Sequence, residues 1–262
     1  MSKDTQSGLK DVEPGSVRLT AFIRSLPERS EYTREDLLVP EVRLAEEATE
    51  GLVVYDAPFG GINVGARLAI IGVTPGFTQM EIAYREARQH LMAGRSLADA
   101  CRRAKQEASF GGPMRGNLVR MLEELGLHKL LGISSVVDLF GSASHLLHTT
   151  SAVRYPTFKR GRNYTGSGPQ LRRCTFLLRF AREILAPELC KLQGALYIPL
   201  GKSVVAVMEL LEKEGRIPVG RTLYGFPHPS GANGHRKRQF EEAKPALKAC
   251  LEAWWARSQD GR

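Results

Sequence analysis

The stretch RLAIIGVTPG, residues 67–76, decides the fold class of this 262-residue chain. Its first six residues are a short apolar run rich in branched side chains that ends at Gly72, which is typical of a buried parallel strand. Pro75 and Gly76 then stop the extended conformation, so a helix can begin after the turn. The sequence therefore predicts a strand that delivers a loop to one edge of a parallel sheet.

Three further segments have the length and composition of strands. They are SVVDLF at 135–140, ALYIPL at 195–200 and RTLY at 221–224, and helical patterns separate them. This alternation predicts an α/β fold, a three-layer α/β/α sandwich around a central four-stranded parallel sheet. In such sheets ligands bind beyond the carboxyl ends of the strands, so the loops after the strands should hold the functional residues.

Helical periodicity fills the intervals between the strands. The longest pattern covers residues 78–108, with Gly94 as a break and Ser96 as the N-cap of its second half. Further helices are expected at 117–125, 171–185, 202–211 and 239–255. The polar, basic and glycine-rich stretch 141–170 is predicted to be a loop.

Composition indicates a globular protein, and we expect it to bind no cofactor. Hydrophobic residues make up 42% of the chain, and no apolar run approaches the roughly 18–20 residues of a membrane-spanning helix. The amino terminus lacks the apolar stretch of a secretory signal, so we expect a cytoplasmic location. The 4 cysteines form no C-x-x-C pair. His145 and His148 have no third ligand nearby in sequence, so no metal site is predicted.

The first fifty residues differ from the rest of the chain. Residues 1–50 are polar and low in aromatic residues, with one short helical pattern at 17–25. We expect them to be a loosely attached N-terminal extension of a domain formed by residues 51–262. We expect the protein to be a monomer.

The chain is basic, with 37 Lys and Arg against 28 Asp and Glu and a formal net charge of +9. This excess suits a protein that binds a polyanion such as DNA, because cations on phosphates release counterions. It is equally compatible with a charge that only keeps the protein soluble. If DNA is the partner, the excess should lie near 154–173 and 236–238.

Two loops together carry a resemblance. GVTPG at 72–76 and HPSGAN at 228–233 resemble the two motifs of the uracil-DNA glycosylase superfamily. GGPMRGNLVRMLEELGL at 111–127 and ALYIPLGKSVVAVMELL at 195–211 are similar to segments of its thermostable bacterial branch. The resemblance covers about residues 52–250. It implies a DNA glycosylase that flips a pyrimidine, hydrolyses its N-glycosidic bond and leaves an abasic site.

The resemblance also implies catalytic roles. His228, held between two prolines, would hydrogen-bond the leaving base. Thr74 falls where the family has a water-activating Asp or Asn, and a hydroxyl cannot act as a carboxylate base near neutral pH. Either another acid serves, with Asp56 and Glu81 as candidates, or the reaction depends mainly on stabilising the leaving group.

Two positions bear on the base that is excised. Gly76 replaces the aromatic residue that blocks the C5 side of uracil, which leaves room for a C5 substituent. Alignment of SVVDLF puts Asp138 where uracil-specific members have an Asn. A carboxylate only accepts hydrogen bonds and so suits the N4 amine of cytosine. As an alternative, Asp138 is a structural cap.

These two residues together favour a C5-modified cytosine, such as glucosylated hydroxymethylcytosine in phage DNA, and hence a role in anti-phage defence. The alternatives are a uracil-DNA glycosylase of base-excision repair and an inactive nucleic-acid-binding member of the fold.

The remaining predicted contacts fall into two groups. The predicted substrate-binding residues are Gly72, Val73, Gly76, Phe77, Asp138 and Met114, with Phe77 or Phe110 as the stacking platform where the family has an aromatic in place of Met114. The predicted DNA-binding residues are Ser230, Asn233, His235, Arg236, Lys237, Arg160 and Arg162.

Overall fold

The computed structural model describes residues 17–260, with side chains described for 17–258. The strands are β1 Arg43–Glu47, β2 Leu52–Tyr55, β3 Leu68–Gly72, β4 Leu147–Ser151, β5 Thr157–Lys159, β6 Arg162–Asn163 and β7 Leu196–Pro199. The helices are α1 Val17–Ser25, α2 Arg34–Leu37, α3 Phe77–Met92, α4 Leu97–Ala108, α5 Pro113–Glu124, α6 Leu127–Leu131, α7 Thr175–Phe180, α8 Ala186–Cys190, α9 Lys202–Lys213 and α10 Arg236–Asp260.

A parallel sheet with the strand order β4-β3-β7 lies at the centre of the fold. Its middle strand β3 is buried along its whole length. Alternate residues of β3 face opposite sides of the sheet. Ala69 and Ile71 therefore pack into one apolar cluster, and Leu68 and Ile70 pack into another. The first cluster includes residues of α7 and α9, and the second includes residues of α5 and α10. The protein is thus a mixed α/β fold with helices on both faces of a parallel sheet.

The predicted strand at 221–224 is present only as a single parallel bridge between Tyr197 and Thr222. Leu223 donates its backbone N–H to the Tyr197 carbonyl at 2.8 Å, which extends the sheet beyond β7. The next residue turns back, since the Tyr224 N–H donates to the Thr222 carbonyl at 3.1 Å. The segment leaves the sheet there, so three strands and one bridge replace the expected four strands.

The predicted strand at 135–140 is wrong. Residues Val136–Phe140 form a 3-10 helix, because Ser135 and Asp138 cap each other's backbone. The Ser135 hydroxyl accepts the Val137 N–H at 3.1 Å, and the Asp138 carboxylate accepts the Ser135 N–H at 3.0 Å. Reciprocal capping of this kind favours a helical turn over an extended chain. The strand that pairs with β3 on the side opposite β7 is β4, which lies in the stretch that was predicted to be a loop.

Most of the predicted helices are confirmed. The pattern at 78–108 becomes α3 and α4, and the Ser96 side chain accepts the Asp99 N–H at 3.2 Å as the N-cap of α4. The pattern at 171–185 becomes a 3-10 turn, α7 and a π-helical turn before α8. None of the helices within residues 17–260 combines the length and apolar character that spanning a bilayer requires.

A second, antiparallel sheet has the order β1-β2-β5-β6. Residues 1–16 of the predicted N-terminal extension lie outside the described range. The described part of the extension contributes β1 to this sheet, so it is not loosely attached as predicted. β1 pairs with β2, so the expected boundary after residue 50 falls inside a hairpin. Helix α1 lies where it was predicted, and its Leu19 and Ile23 are buried in an apolar cluster with Tyr84 of α3. Residues 17–50 therefore share the core of the protein.

Candidate functional site

A cavity of about 520 Å³ opens where the carboxyl ends of β3 and β4 meet the loop that precedes α10. The two loops that the sequence singled out, 72–76 and 228–233, both reach it. The lining residues are Phe59, Gly72, Val73, Thr74, Pro75, Gly76, Gln79, Lys105, Ala108, Ser109, Phe110, Met114, Thr149, Thr150, Ser151, Arg154, Asn163, Tyr164, Thr165, His228, Ser230, Ala232 and Asn233.

The loop after β3 approaches its neighbours closely. A Cβ on Gly72 would lie 3.3 Å from the Ser151 hydroxyl oxygen and 3.5 Å from Cε1 of Phe110. A Cβ on Gly76 would lie 3.0 Å from Nδ2 of Asn163. A side chain at either glycine would therefore crowd its neighbours, and at Gly76 the Asn163 amide already occupies the place where a side chain would stand.

Thr74 lines the cavity, but its hydroxyl proton is already engaged. The Thr74 Oγ1 donates to the Tyr155 carbonyl at 2.7 Å. A hydroxyl that donates in this way keeps lone pairs that can accept a hydrogen bond. Thr74 can therefore orient a water molecule as an acceptor, and it cannot remove a proton from that water.

His228 projects from the second loop with a defined tautomer. Its Nδ1 accepts the Ser230 backbone N–H at 3.2 Å, so in the neutral ring the proton is on Nε2. Burial lowers the pKa of His228 below its ordinary value, which keeps the imidazole neutral at physiological pH. His228 thus offers the cavity a neutral N–H donor, as its predicted role requires.

The second loop is braced from two sides. Asn117 of α5 donates its amide N–H to the Pro229 carbonyl at 3.0 Å. Asn233 donates to the His228 carbonyl at 3.2 Å, and Arg236 donates to the Ser230 carbonyl at 2.7 Å. The Arg236 guanidinium, predicted to contact DNA, therefore holds the loop that carries the histidine.

Of the two candidate stacking platforms, the structure places Phe110 in the cavity wall and Phe77 outside it. Phe110 adopts a positive φ of 53°, which is uncommon for a residue with a large side chain. The Phe77 ring packs under the Arg34 guanidinium, whose central carbon is 4.6 Å from the ring centroid. Phe77 therefore lies outside the cavity wall, whereas Met114 lines the cavity.

The two carboxylates proposed as alternative bases do not reach the cavity. Asp56 is 8% exposed, its Oδ1 accepts the Ala57 N–H at 2.9 Å, and burial raises its pKa to about 6. Glu81 accepts a hydrogen bond from Nε of Arg85 at 3.0 Å, and its side chain is also buried. Both are structural groups that lie away from the cavity wall, so the assignment of Asp56 as catalytic is corrected.

Asp138 is also absent from the cavity wall, because its carboxylate caps Ser135 in the 3-10 helix described above. The alternative reading of Asp138 as a structural cap is the one that the hydrogen bonds favour. The residue that ends the second parallel strand is Ser151, and it lies in register with Gly72 across the sheet. Sequence reasoning missed Ser151 because the wrong segment was assigned to that strand.

A charged cluster that sequence reasoning also missed includes the part of the cavity wall formed by Lys105 and Arg154, which we call the inner end. Glu188 of α8 is 1% exposed, and it binds His148 through one carboxylate oxygen and Arg154 through the other. His148 Nδ1 accepts the Asn63 N–H at 3.3 Å, so Nε2 donates to Glu188. Burial and the nearby Lys105 lower the pKa of His148 to about 4, so this histidine is neutral.

Lys105 of α4 completes this cluster. Its Nζ donates to the Gly61 carbonyl at 3.1 Å, and burial lowers its pKa to about 8. Both Lys105 and Arg154 line the cavity. His148 is occupied by Glu188, and among the described residues no group of three or more His, Cys, Asp and Glu side chains is arranged to hold a metal.

The predicted DNA-binding residues divide into two sets. Ser230 and Asn233 line the cavity, while His235 and Lys237 are exposed beside it at the start of α10. Arg160 and Arg162 are exposed on the β5–β6 hairpin, and Arg162 directly precedes the cavity residue Asn163. Within the described range, neither of these two arginines forms an ion pair with a carboxylate.

No protein-family model matches the chain. The chain is 41% identical over 229 residues to "Uncharacterized protein YoxB" of Bacillus subtilis (strain 168), a match that covers 87% of this chain and 89% of the relative. This chain belongs to the YoxB family. The relative is described as uncharacterized, so membership of the YoxB family assigns no activity. The chemistry of the cavity must therefore carry any functional assignment.

Proposed function

We propose that the protein is a DNA glycosylase that hydrolyses the N-glycosidic bond of a flipped pyrimidine and leaves an abasic site. The observation that carries this proposal is the convergence of loops 72–76 and 228–233 on one cavity. In this proposal the fold is a uracil-DNA glycosylase-like sandwich, and the segment that bridges through Thr222 is its reduced fourth strand. The protein acts as a monomer in the cytoplasm.

His228 supplies the main catalytic interaction. When the glycosidic bond breaks, its electron pair stays with the base at N1 and is delocalised onto the exocyclic carbonyl oxygen O2, and the neutral Nε2–H of His228 donates to that oxygen. A donor that is placed before the reaction costs no reorganisation, and removing one such donor typically lowers the rate about 10²- to 10³-fold. The hydrogen bond from Ser230 to Nδ1 keeps the proton on the correct nitrogen.

Activation of the attacking water contributes less to catalysis than stabilisation of the leaving base. Among the described residues, the cavity wall contains no carboxylate, so no strong general base is present there. Thr74 accepts a hydrogen bond from the water and positions it against the sugar, and stabilisation of the leaving base supplies most of the rate. A lack of general-base catalysis predicts a slow enzyme.

The proposed substrate carries a substituent at C5 of the pyrimidine. Gly76 has no side chain of its own, so the group that would meet a C5 substituent there is the Asn163 amide. The cavity volume of about 520 Å³ lies within the roughly 300–1,000 Å³ of sites for complete small molecules. The preference for cytosine rested on Asp138 and loses that support. Ser151 both donates and accepts hydrogen bonds and suits either pyrimidine. Modified cytosine in phage DNA, with a role in anti-phage defence, therefore stays a hypothesis for the assay to test.

Exposed cations form the proposed DNA surface. Arg160 and Arg162 lie close in sequence to the cavity residue Asn163, and His235 and Lys237 lie close to the cavity residue Asn233, so we expect both pairs to contact phosphates near the flipped nucleotide. Such contacts position the strand without reading its sequence. Binding should therefore weaken steeply as salt concentration rises.

The test is release of the base from short DNA duplexes and single strands that contain uracil, cytosine, 5-hydroxymethylcytosine or its glucosylated form. Wild type should generate abasic sites, His228→Ala should lose at least about 100-fold in rate, and His145→Ala should retain activity because His145 is exposed and lies outside the cavity wall. Release of uracil alone would favour the repair enzyme. Tight DNA binding with no release by any variant would favour a binding module and reject the glycosylase.

A further inference from the structure

The inner end of the cavity carries a positive charge that excision of an uncharged base does not require. Lys105 and Arg154 both line it, and one carboxylate, Glu188, serves both cations. His148 is neutral and adds no charge. The balance of this buried cluster is therefore one unit positive.

Arg154 and Lys105 differ in the hydrogen-bond partners of their charged groups. Arg154 donates Nε to Glu188 at 3.1 Å, and its terminal nitrogen binds the same carboxylate oxygen. Lys105 forms a hydrogen bond only with a neutral partner, the Gly61 carbonyl, among the described residues. An ammonium group has three donors, and the Gly61 carbonyl uses one of them, so Lys105 can donate to a further acceptor. Lys105 is thus the group at which an additional anion would be stabilised most.

Neutral donors stand beside the cations. Thr149 pairs with Ser109 at 2.7 Å through their hydroxyl oxygens, and both residues line the cavity. Thr150 also lines it, is 8% exposed, and its hydroxyl has no hydrogen-bond partner in the described range. The Ser109 hydroxyl donates to the Lys105 carbonyl at 2.5 Å, so the Thr150 hydroxyl is the available donor of the three. A hydroxyl donor together with two cations matches the chemistry of a carboxylate or phosphate oxygen.

We propose that this inner end, walled by Lys105, Arg154 and Thr150, is a subsite for an anionic oxygen group, a carboxylate or a phosphate, attached to the flipped base. The subsite rests on the proposed glycosylase function for its biological use. Its ability to hold an oxyanion does not depend on catalysis. An anionic substituent would pair with Lys105 and place the base so that its leaving oxygen faces His228.

The first test measures anion binding without catalysis. Inorganic phosphate should raise the melting temperature of the full chain and of the exposed-lysine control Lys191→Met. It should have no such effect on Lys105→Met, and Lys105→Arg should restore the response by keeping the charge. An equal response of Lys105→Met and wild type would overturn the subsite. Circular dichroism of each variant before titration shows that the comparison is made on folded protein.

The second test measures selection among bases. DNA containing 5-carboxycytosine should be cleaved faster than DNA with cytosine, and 5-carboxyuracil faster than uracil. In Lys105→Met the preference should fall about 10- to 100-fold, as expected for loss of a hydrogen bond to a charged group. Lys191→Met, which changes an exposed lysine outside the cavity wall, should keep the preference of wild type.

The two tests separate the subsite from the proposed enzyme. Phosphate binding that depends on Lys105, with no base released from any DNA, would keep the anion subsite and reject the glycosylase. Base release that is equal for charged and uncharged bases, and unaffected by Lys105→Met, would keep the glycosylase and reject the subsite.

Discussion

The Cβ of His228 lies 3.0 Å from the point where a Cβ on Gly201 would stand. Gly201 also has a φ of +85°, at the turn from β7 into α9. The closeness of these two residues means that the position of the imidazole depends on a residue in a different loop. A side chain at 201 would strain the backbone and push the histidine away from its present place.

Gly201→Ala should therefore reduce both stability and base release. The Gly201 backbone, with φ +85° and ψ 165°, lies in a region that is essentially restricted to glycine and costs about 1–3 kcal/mol for other residues, and the contact with His228 adds to it. Gly215→Ala is the matched control, because Gly215 has a φ of +67° with open space around it. Urea unfolding should show a loss in both variants, while single-turnover base release should fall only in Gly201→Ala. Equal rates in the two variants would show that the contact is without consequence.

Phe110→Ala should weaken binding of the flipped base. Phe110 lines the cavity beside Gly72, and stacking of a base on an aromatic ring contributes about 1–3 kcal/mol. Phe77→Ala is the comparison, since that ring packs against Arg34 outside the cavity. Titration of DNA that contains a modified base should show the loss only for Phe110→Ala. A larger loss for Phe77→Ala would reverse the assignment of the platform.

Asp56→Asn should stabilise the protein in a pH-dependent manner. The folded pKa of Asp56 is raised by burial to about 6 from an ordinary 3.8, so its stabilising contribution is complete below pH 3.8 and is lost as pH rises through about 6. The loss amounts to about 3 kcal/mol. An asparagine stays neutral, so the gain from the substitution should be larger at about pH 7.5 than at about pH 4. Urea unfolding at both pH values measures it, and a gain that does not change with pH would contradict the prediction.

Glu188→Gln should be strongly destabilising. The substitution leaves Arg154 buried without its counterion, which typically costs about 3–5 kcal/mol. Glu183→Gln, on the exposed side of the same helical segment, should change stability by less than about 0.5 kcal/mol. Chemical denaturation of the two variants and wild type tests this difference. Similar midpoints for all three would mean that the cluster contributes little to folding.

Strong local signals made much of the fold predictable. The apolar run before Gly72, the N-cap at Ser96 and the pattern at 195–200 each specify their element without help from distant residues. The two cavity loops were also found, because glycine and proline restrict the backbone in recognisable ways. These features are encoded within a few residues of where they act.

The second strand could not be found in the same way. LHTTS at 147–151 has a polar composition, and it is a strand because it pairs with β3 and supplies the cavity and the buried cluster with side chains. SVVDLF has the better strand composition, yet its Ser135 and Asp138 form a capping box. That S-x-x-D spacing was visible in the sequence and would have corrected the assignment. The pairing of Glu188 with residues 148 and 154 joins distant parts of the chain and leaves no local signal.

The antiparallel sheet has a consequence for how the site is assembled during folding. Asn163, at the cavity wall, belongs to β6, which pairs with β5, and β5 pairs in turn with β2 near residue 52. Contacts between segments so far apart in sequence form slowly, because a long loop must close before they are gained. This wall of the cavity is therefore completed only after the two halves of the chain have met, and a ribosome-bound chain that ends before residue 157 cannot contain a finished site.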